Sequence, residues 1–121
     1  MDVLHIDGLH TYEAVRHDFE TWLPKLSDAA VVLFHDTAVR ERGFGVYKYF
    51  AELQQQYPGF DFAHSHGLGV LQVGANAPPA IKALCSTKVG PVADRIRQRF
   101  AHLGQRIEMQ NLLFRYGIRL P

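Results

Sequence analysis

The sequence has little cysteine, no surplus of charge of either sign and no long apolar run. Its single cysteine, Cys85, excludes an internal disulfide and any zinc site built from several cysteines. Thirteen basic residues nearly balance 12 acidic ones, and a net charge of +1 creates no field that would draw the chain to nucleic acid or a membrane surface. No segment approaches the roughly 20 apolar residues that span a bilayer, and residues 1–4 do not resemble a secretory signal. These absences favour a cytoplasmic protein with neither nucleic-acid nor membrane partners.

The 121 residues are enough for one domain with a hydrophobic core, because 47% of them are hydrophobic and only 21% are charged. Histidine is the unusual component of the composition. Of the seven histidines, those near predicted strands or strand ends are His5, His10, His35, His64 and His66. We interpret His64 and His66, which flank a turn, as surface residues.

A strand, a helix and a second strand are predicted at the start of the chain. Val3–Ile6 reads as a short strand, and Thr11 is placed to cap a helix that runs to about Leu26. Pro24 should bend or end the last turn of this helix. Its apolar face is formed by Val15, Phe19, Trp22 and Leu26. Residues 29–34 form a continuous apolar run, which is typical of a strand buried on both faces of a parallel sheet.

A helix, a hairpin and a long helix are predicted in the rest of the chain. The helix extends from about Phe44 to Tyr57, and short strands at residues 60–64 and 68–73 flank the following turn. A short helix to Cys85 precedes a long one that runs from Gly90-Pro91 to about Tyr116. The apolar stripe of the long helix consists of Val92, Ile96, Phe100, Leu103 and Ile107.

This order of elements predicts an α/β fold with parallel strands, an antiparallel hairpin at the sheet edge and a long C-terminal helix. We expect residues 1–75 to form the α/β domain. Residues 76–121 are expected to form a helical extension that packs on this domain or on a partner.

Polar residues follow both parallel strands at the point where each strand ends. Asp7 follows the first strand, and His35-Asp36 follows the second. Neighbouring strands lie roughly 5 Å apart, so the two aspartates should converge. Two carboxylates that close repel each other unless a cation or a proton lies between them, and oxygen ligands suit Mg²⁺ or Mn²⁺. His10, three residues after Asp7, is placed to take a proton from a substrate hydroxyl.

Simpler interpretations exist for the same residues. Asp7-Gly8 is also ordinary turn chemistry, and Asp36 is also a suitable cap for the turn after it. His35 could supply a nitrogen ligand, orient Asp36, or be a buried histidine with a local partner. Two polar clusters at equivalent places on consecutive strands favour the metal-site hypothesis over two unrelated turns.

These residues are similar to part of a known enzyme family. Residues 2–26 resemble the fourth strand and following helix of a class I S-adenosylmethionine-dependent methyltransferase, and Val31–Thr37 resembles its fifth strand. Gly43–Val46 and Gly67–Val70 resemble a subgroup linked to modification of sugars, glycans or antibiotics. The resemblance implies the C-terminal half of a Rossmann-like methyltransferase fold.

The resemblance to metal-dependent O-methyltransferases also implies roles for individual residues. Asp7 and Asp36 would bind Mg²⁺ or Mn²⁺, and His10 would be the general base. The family has an acidic pair, or an aspartate followed by asparagine, at this strand end, so His35 and Thr37 depart from its pattern. Gly8 and Leu9 would line the adenine side of S-adenosylmethionine. The Gly-rich turn and the acidic strand end that hold the rest of the cofactor have no counterpart in these residues.

Two functions follow as alternatives. In the first, the chain is the C-terminal half of a metal-assisted O-methyltransferase that acts on a hydroxyl of a sugar, a glycan or another small molecule, completed by a second polypeptide or an upstream segment. In the second, it is a non-catalytic methyltransferase-like remnant or assembly module. The bare edge of the first strand and the apolar stripe of the long helix predict a homodimer in either case.

Overall fold

A computed structural model describes residues 1–118 of the chain. The strands are β1 (Val3–Ile6), β2 (Val31–His35), β3 (Gly59–Phe62) and β4 (Leu68–Gln72). The helices are α1 (Tyr12–Trp22), α2 (Val46–Leu53), α3 (Pro79–Ser86) and α4 (Pro91–Arg115), with a 3₁₀ turn at Leu23–Lys25. The first compact unit ends at Lys88, and the second begins at Val89.

The four strands form one mixed sheet in the order β1-β2-β4-β3. β1 and β2 are parallel neighbours, with Ile6 opposite Phe34, whereas β4 is antiparallel to both β2 and β3. This arrangement confirms the predicted α/β class, the parallel pair and the antiparallel hairpin, and it is consistent with a partial Rossmann-like fold. Among the described residues β1 pairs only with β2, so it forms one edge of the sheet.

The core lies between one face of the sheet and helices α1 and α2. Phe19 is at its centre, with ring centroids 5.9 Å from Phe34, 6.0 Å from Tyr49 and 6.3 Å from Tyr57. Burial raises the pKa of Tyr49 to about 12, so this phenol stays neutral in the core. Ile6 belongs to the same cluster, so the core holds β1 in place up to the residue before Asp7.

The ends of both core helices differ from the prediction. α1 ends at Trp22 rather than Leu26, and the chain continues as a 3₁₀ turn because Pro24 has no amide hydrogen for the helix. Trp22 was predicted to face the core but is exposed, with the ammonium group of Lys25 4.9 Å from its ring centre. α2 begins two residues after Phe44, since the Gly45 amide donates to the carbonyl of His10 instead.

The start of α1 is capped as predicted. The Thr11 hydroxyl accepts a hydrogen bond of 3.2 Å from the Ala14 amide, which satisfies one of the free amides of the first turn. The cap fixes the direction in which the chain leaves the loop after β1. That loop carries Asp7 and His10.

Cys85 lies in α3, where a short helix was predicted. Its thiol is fully buried, and burial raises its pKa, so the reactive thiolate is disfavoured. The thiol lies 3.8 Å from the carbonyl oxygen of Val70 in β4. Cys85 is therefore part of the packing of α3 on the sheet.

α4 is a single helix of 25 residues in the second unit, close to the predicted bounds. Gly90 precedes it with φ of +100°, a conformation that favours glycine. None of the helices in residues 1–118 is long and apolar enough to cross a membrane.

Candidate functional site

The two strand-end clusters meet at one edge of the sheet. Asp7 directly follows β1, His35 ends β2, and Asp36 comes next. Each of these three side chains offers one ligand atom, and the three atoms lie within 4.8 Å of one another. The predicted convergence of Asp7 and Asp36 is thereby confirmed.

The Nδ1 atom of His35 lies between the two carboxylates. It is 2.9 Å from Oδ1 of Asp36 and 3.3 Å from Oδ1 of Asp7. Neither approach has hydrogen-bond geometry, and this buried nitrogen has no hydrogen-bond partner among the described residues. Adjacent ligands of an octahedral ion with bonds of about 2.1 Å lie about 3.0 Å apart, which is close to both of these separations.

Asp36 is buried, with only 5% of its surface exposed, and its backbone φ is +64°. A residue other than glycine is strained in this region by about 1–2 kcal/mol, and Asp is among the few that adopt it routinely. The hairpin turn holds the strained segment: the Asp36 amide donates to the Gly67 carbonyl at 3.2 Å, and the Ala38 amide donates to the His66 carbonyl at 2.9 Å. The carboxylate of Asp36 contacts His10 and His35.

His10 is fixed on two sides. Its Nδ1 lies 2.6 Å from Oδ2 of Asp36, and its ring is stacked on Phe44 with 4.5 Å between centroids and 7° between planes. The ring is thereby held between the Asp36 carboxylate and the Phe44 ring. A neutral imidazole that carries its proton on Nδ1 keeps a lone pair on Nε2, which can accept a proton.

The cluster forms one wall of an open cleft of about 660 Å³. The cleft is lined by Asp7, His10, His35 and Asp36, by residues 38–41 and Phe44, and by Ser65 and His66. The guanidinium group of Arg40 is 3.9 Å from the centre of the Tyr47 ring, and its Nη1 donates to the Thr37 carbonyl at 2.8 Å. These two contacts fix the positive charge of Arg40 in the lining of the cleft. The other charged residues of that lining are Asp7, Asp36 and Glu41.

The other predicted site residues lie near the cluster or at its margin. Gly8 and Leu9 are in the loop between β1 and α1, and Leu9 is 73% exposed. Their role toward a cofactor stays a prediction. His66 is exposed, as predicted, but it also lines the cleft, with its ring centroid 6.2 Å from that of His35. His64 is half-buried rather than a surface residue, and its Nδ1 has no hydrogen-bond partner among the described residues.

Sequence reasoning missed three residues that shape the cleft: Arg40, Phe44 and His66. Arg40 and Phe44 lie in the loop before α2, and His66 lies in the hairpin turn, so neither helical nor strand periodicity marks them. The one available signal was the pair of glycines beside Phe44. Gly45 has no room for a side chain, because an added Cβ would lie 2.6 Å from the backbone nitrogen of Tyr12.

The first part of the chain is similar to a known protein family. Residues 1–37 match a family described as a methyltransferase domain. An uncharacterized protein of Sinorhizobium fredii, y4gI, is 51% identical over 87 residues, which are 72% of this chain. The chain spans only about 10% of the length of that relative. No solved structure matches the chain. The segment that contains Asp7, His10, His35 and Asp36 is therefore similar to a methyltransferase domain.

Proposed function

We propose that this chain supplies the metal-binding and proton-accepting part of an S-adenosylmethionine-dependent O-methyltransferase. The observation that carries the proposal is the cluster of Asp7, His35 and Asp36, with its three ligand atoms within 4.8 Å, in a segment that matches a methyltransferase domain. The acceptor would be a hydroxyl group of a sugar, a glycan or another small molecule.

The donor set of the cluster suits Mg²⁺ or Mn²⁺. Asp7 and Asp36 offer hard carboxylate oxygens, and His35 adds one imidazole nitrogen. Mn²⁺ accepts an imidazole more readily than Mg²⁺ does, so the presence of His35 favours manganese. The buried Nδ1 of His35 has no hydrogen-bond partner among the described residues, and a bound cation would supply one.

His10 would be the general base of the reaction. Asp36 holds its Nδ1, and Phe44 fixes the plane of its ring, so Nε2 is positioned to remove the proton of an acceptor hydroxyl. When bound, the ion would lower the pKa of that hydroxyl, and S-adenosylmethionine would supply the methyl group. Asp36 would contribute to both functions, because one of its oxygens faces His35 and the other faces His10.

Gly8 and Leu9 would form one side of the cofactor site. Both follow Asp7 directly, and the exposed side chain of Leu9 offers apolar surface to an adenine ring. The groups that would bind the ribose and the methionine part of the cofactor would come from residues outside this chain. Catalysis by this chain therefore depends on a polypeptide that completes the cofactor site.

The second candidate is a non-catalytic assembly module. It is favoured by the exposed apolar side chains of α4, which include Ile107 at 66% and Phe114 at 81% exposure. An assembly module has no need for a cation, so binding of metal at the cluster separates the two candidates.

Binding of Mn²⁺ to the purified chain tests the proposal, with free Mn²⁺ measured by electron paramagnetic resonance. We expect the wild-type chain to bind one Mn²⁺ and Asp7→Asn to bind it at least about tenfold more weakly. Glu13→Gln, which neutralises an exposed carboxylate in the first turn of α1, is the matched control and should bind normally. Wild-type protein that binds no divalent cation, or equal binding by Asp7→Asn, would contradict the proposal.

A further inference from the structure

The outer face of β1 and β2 is only partly covered within the first unit, because α3 reaches it through Pro78 and Ile81 at one side and leaves Val3 exposed. Helices α1 and α2 pack on the core face of these strands, and α3 packs on β3 and β4. Side chains alternate along a strand, so Val3, Val31 and Leu33 point away from Ile6, Val32 and Phe34 of the core. Val3 is 58% exposed, which is unusual for a valine at this position in a strand.

This open face is an apolar hollow of about 320 Å³. Its apolar lining consists of Val3, Ala29, Val31, Leu33, Pro78 and Ile81, and Asp2 lies at its rim. Parallel strands are normally covered on both faces, because their backbone connections place helices there. The hollow therefore has the character of an interface that is completed by another element.

Helix α4 has a surface of matching chemistry. Leu103, Ile107 and Phe114 lie on one side of it at intervals of four and seven residues, and they are 37%, 66% and 81% exposed. Arg99 and Arg106 lie beside this stripe, seven residues and about 10 Å apart along the helix axis. The stripe is thus an apolar ridge flanked by positive charge.

The two units carry net charges of opposite sign. Residues 1–88 contain ten acidic and seven basic residues, whereas residues 89–121 contain six arginines, one aspartate and one glutamate. Asp2 lies at the rim of the open face, and exposed Asp28 precedes β2. Two α4 helices packed on each other would bring arginines together, whereas α4 against an acidic first unit would pair unlike charges.

We propose that α4 of one copy of this chain packs across the open face of β1 and β2 in a second copy, and that the reciprocal contact closes a two-fold dimer. The dimer would contain two identical contacts, each between the α4 helix of one copy and the open face of the other. Two identical contacts are what a two-fold axis generates. It would also cover the exposed side of the edge strand β1. The inference does not depend on the proposed methyl transfer.

Sedimentation velocity at micromolar concentration tests the proposal with two single variants. The wild-type chain should sediment as twice the 13.7 kDa monomer. Val3→Asp and Ile107→Asp should each weaken association at least about tenfold, because each places a charge in an apolar contact. Gln105→Asp, on the opposite side of α4, is the matched control and should leave the dimer intact. Both tested residues are exposed, so circular dichroism should show a normally folded chain in each case.

A mixture of Val3→Asp and Ile107→Asp distinguishes this exchange from other dimers. A mixed dimer keeps one unaltered contact, between the α4 helix of the Val3→Asp copy and the sheet of the Ile107→Asp copy. Dimers should therefore reappear on mixing, although neither variant dimerises alone. A monomeric wild-type chain, a Val3→Asp variant that still dimerises fully, or a mixture without dimers would each overturn the proposal.

Discussion

Asp36 lies between two histidines, with Oδ2 2.6 Å from Nδ1 of His10 and Oδ1 2.9 Å from Nδ1 of His35. The loop after β1 contributes His10, and the end of β2 contributes the other two residues. The Asp36 carboxylate therefore contacts both His10, which we assign to proton transfer, and His35, which we assign to the metal ion.

The amide variant Asp36→Asn tests this double role. Asn tolerates the positive φ of this position, so we expect a folded chain whose thermal unfolding midpoint changes by only a few degrees. Loss of the negative charge should weaken Mn²⁺ binding at least about tenfold. Calorimetric titration with Mn²⁺ measures the change, and an affinity equal to that of the wild type would exclude Asp36 as a ligand.

The substitution Gly67→Ala should disturb both the hairpin turn and the site. Gly67 has φ of +86°, and an added Cβ would overlap the Ala38 amide nitrogen. Gly43→Ala is the matched control, since Gly43 has φ of +77° but open space around its Cα. We expect Gly43→Ala to cost about 1–2 kcal/mol in the free energy of unfolding, measured with urea, and Gly67→Ala to cost more. Only Gly67→Ala should also weaken Mn²⁺ binding, and equal effects of the two variants would contradict this explanation.

Phe19→Ala should be among the most destabilising substitutions in the core. Phe19 is 2% exposed and contacts the rings of Phe34, Tyr49 and Tyr57. Removing its ring should lower the free energy of unfolding by about 3–5 kcal/mol, as followed by circular dichroism in urea. Trp22→Ala, which removes a larger but exposed ring from the same helix, should cost about 1 kcal/mol or less. A larger loss from Trp22→Ala would indicate that Trp22 is buried in an assembly.

The cap of α1 should contribute measurably to stability. Thr11→Ala removes the hydroxyl that accepts from the Ala14 amide, and we expect a loss of about 1 kcal/mol in the free energy of unfolding. Thr11→Ser keeps the hydroxyl and should retain most of that free energy. Equal losses in both variants would show that the methyl group of Thr11, not its hydroxyl, stabilises the helix.

Isothermal titration calorimetry of the purified chain with S-adenosylmethionine should show weak binding or none. Gly8 and Leu9 are the residues we assign to the cofactor, and they offer no side-chain partners for its carboxylate and ribose hydroxyls. Polar groups that are buried without partners reduce affinity. Micromolar binding by the chain alone would show that the cofactor site is built from other residues.

The local pattern of the sequence was sufficient to predict several features. The continuous apolar run of β2, the cap at Thr11 and the helix-ending effect of Pro24 depend on neighbours within a few residues. The convergence of Asp7 and Asp36 also followed from the sequence, because consecutive parallel strands that pair must end at the same edge of the sheet. The exposed position of Trp22 was missed, since a helical stripe shows which residues share a face but not how much of that face is covered.

Tertiary structure alone decided the details of the site. The stacking of Phe44 on His10 arises because the loop before α2 is anchored to the His10 carbonyl through the Gly45 amide. The left-handed conformation of Asp36 depends on hydrogen bonds that amides of its own segment donate to carbonyls of a hairpin turn some 30 residues later in the chain. Such contacts join segments that are distant in the sequence, and no periodicity records them. The sequence by itself thus determined which residues reach the edge of the sheet, whereas packing between the loops determined which atoms of those residues meet.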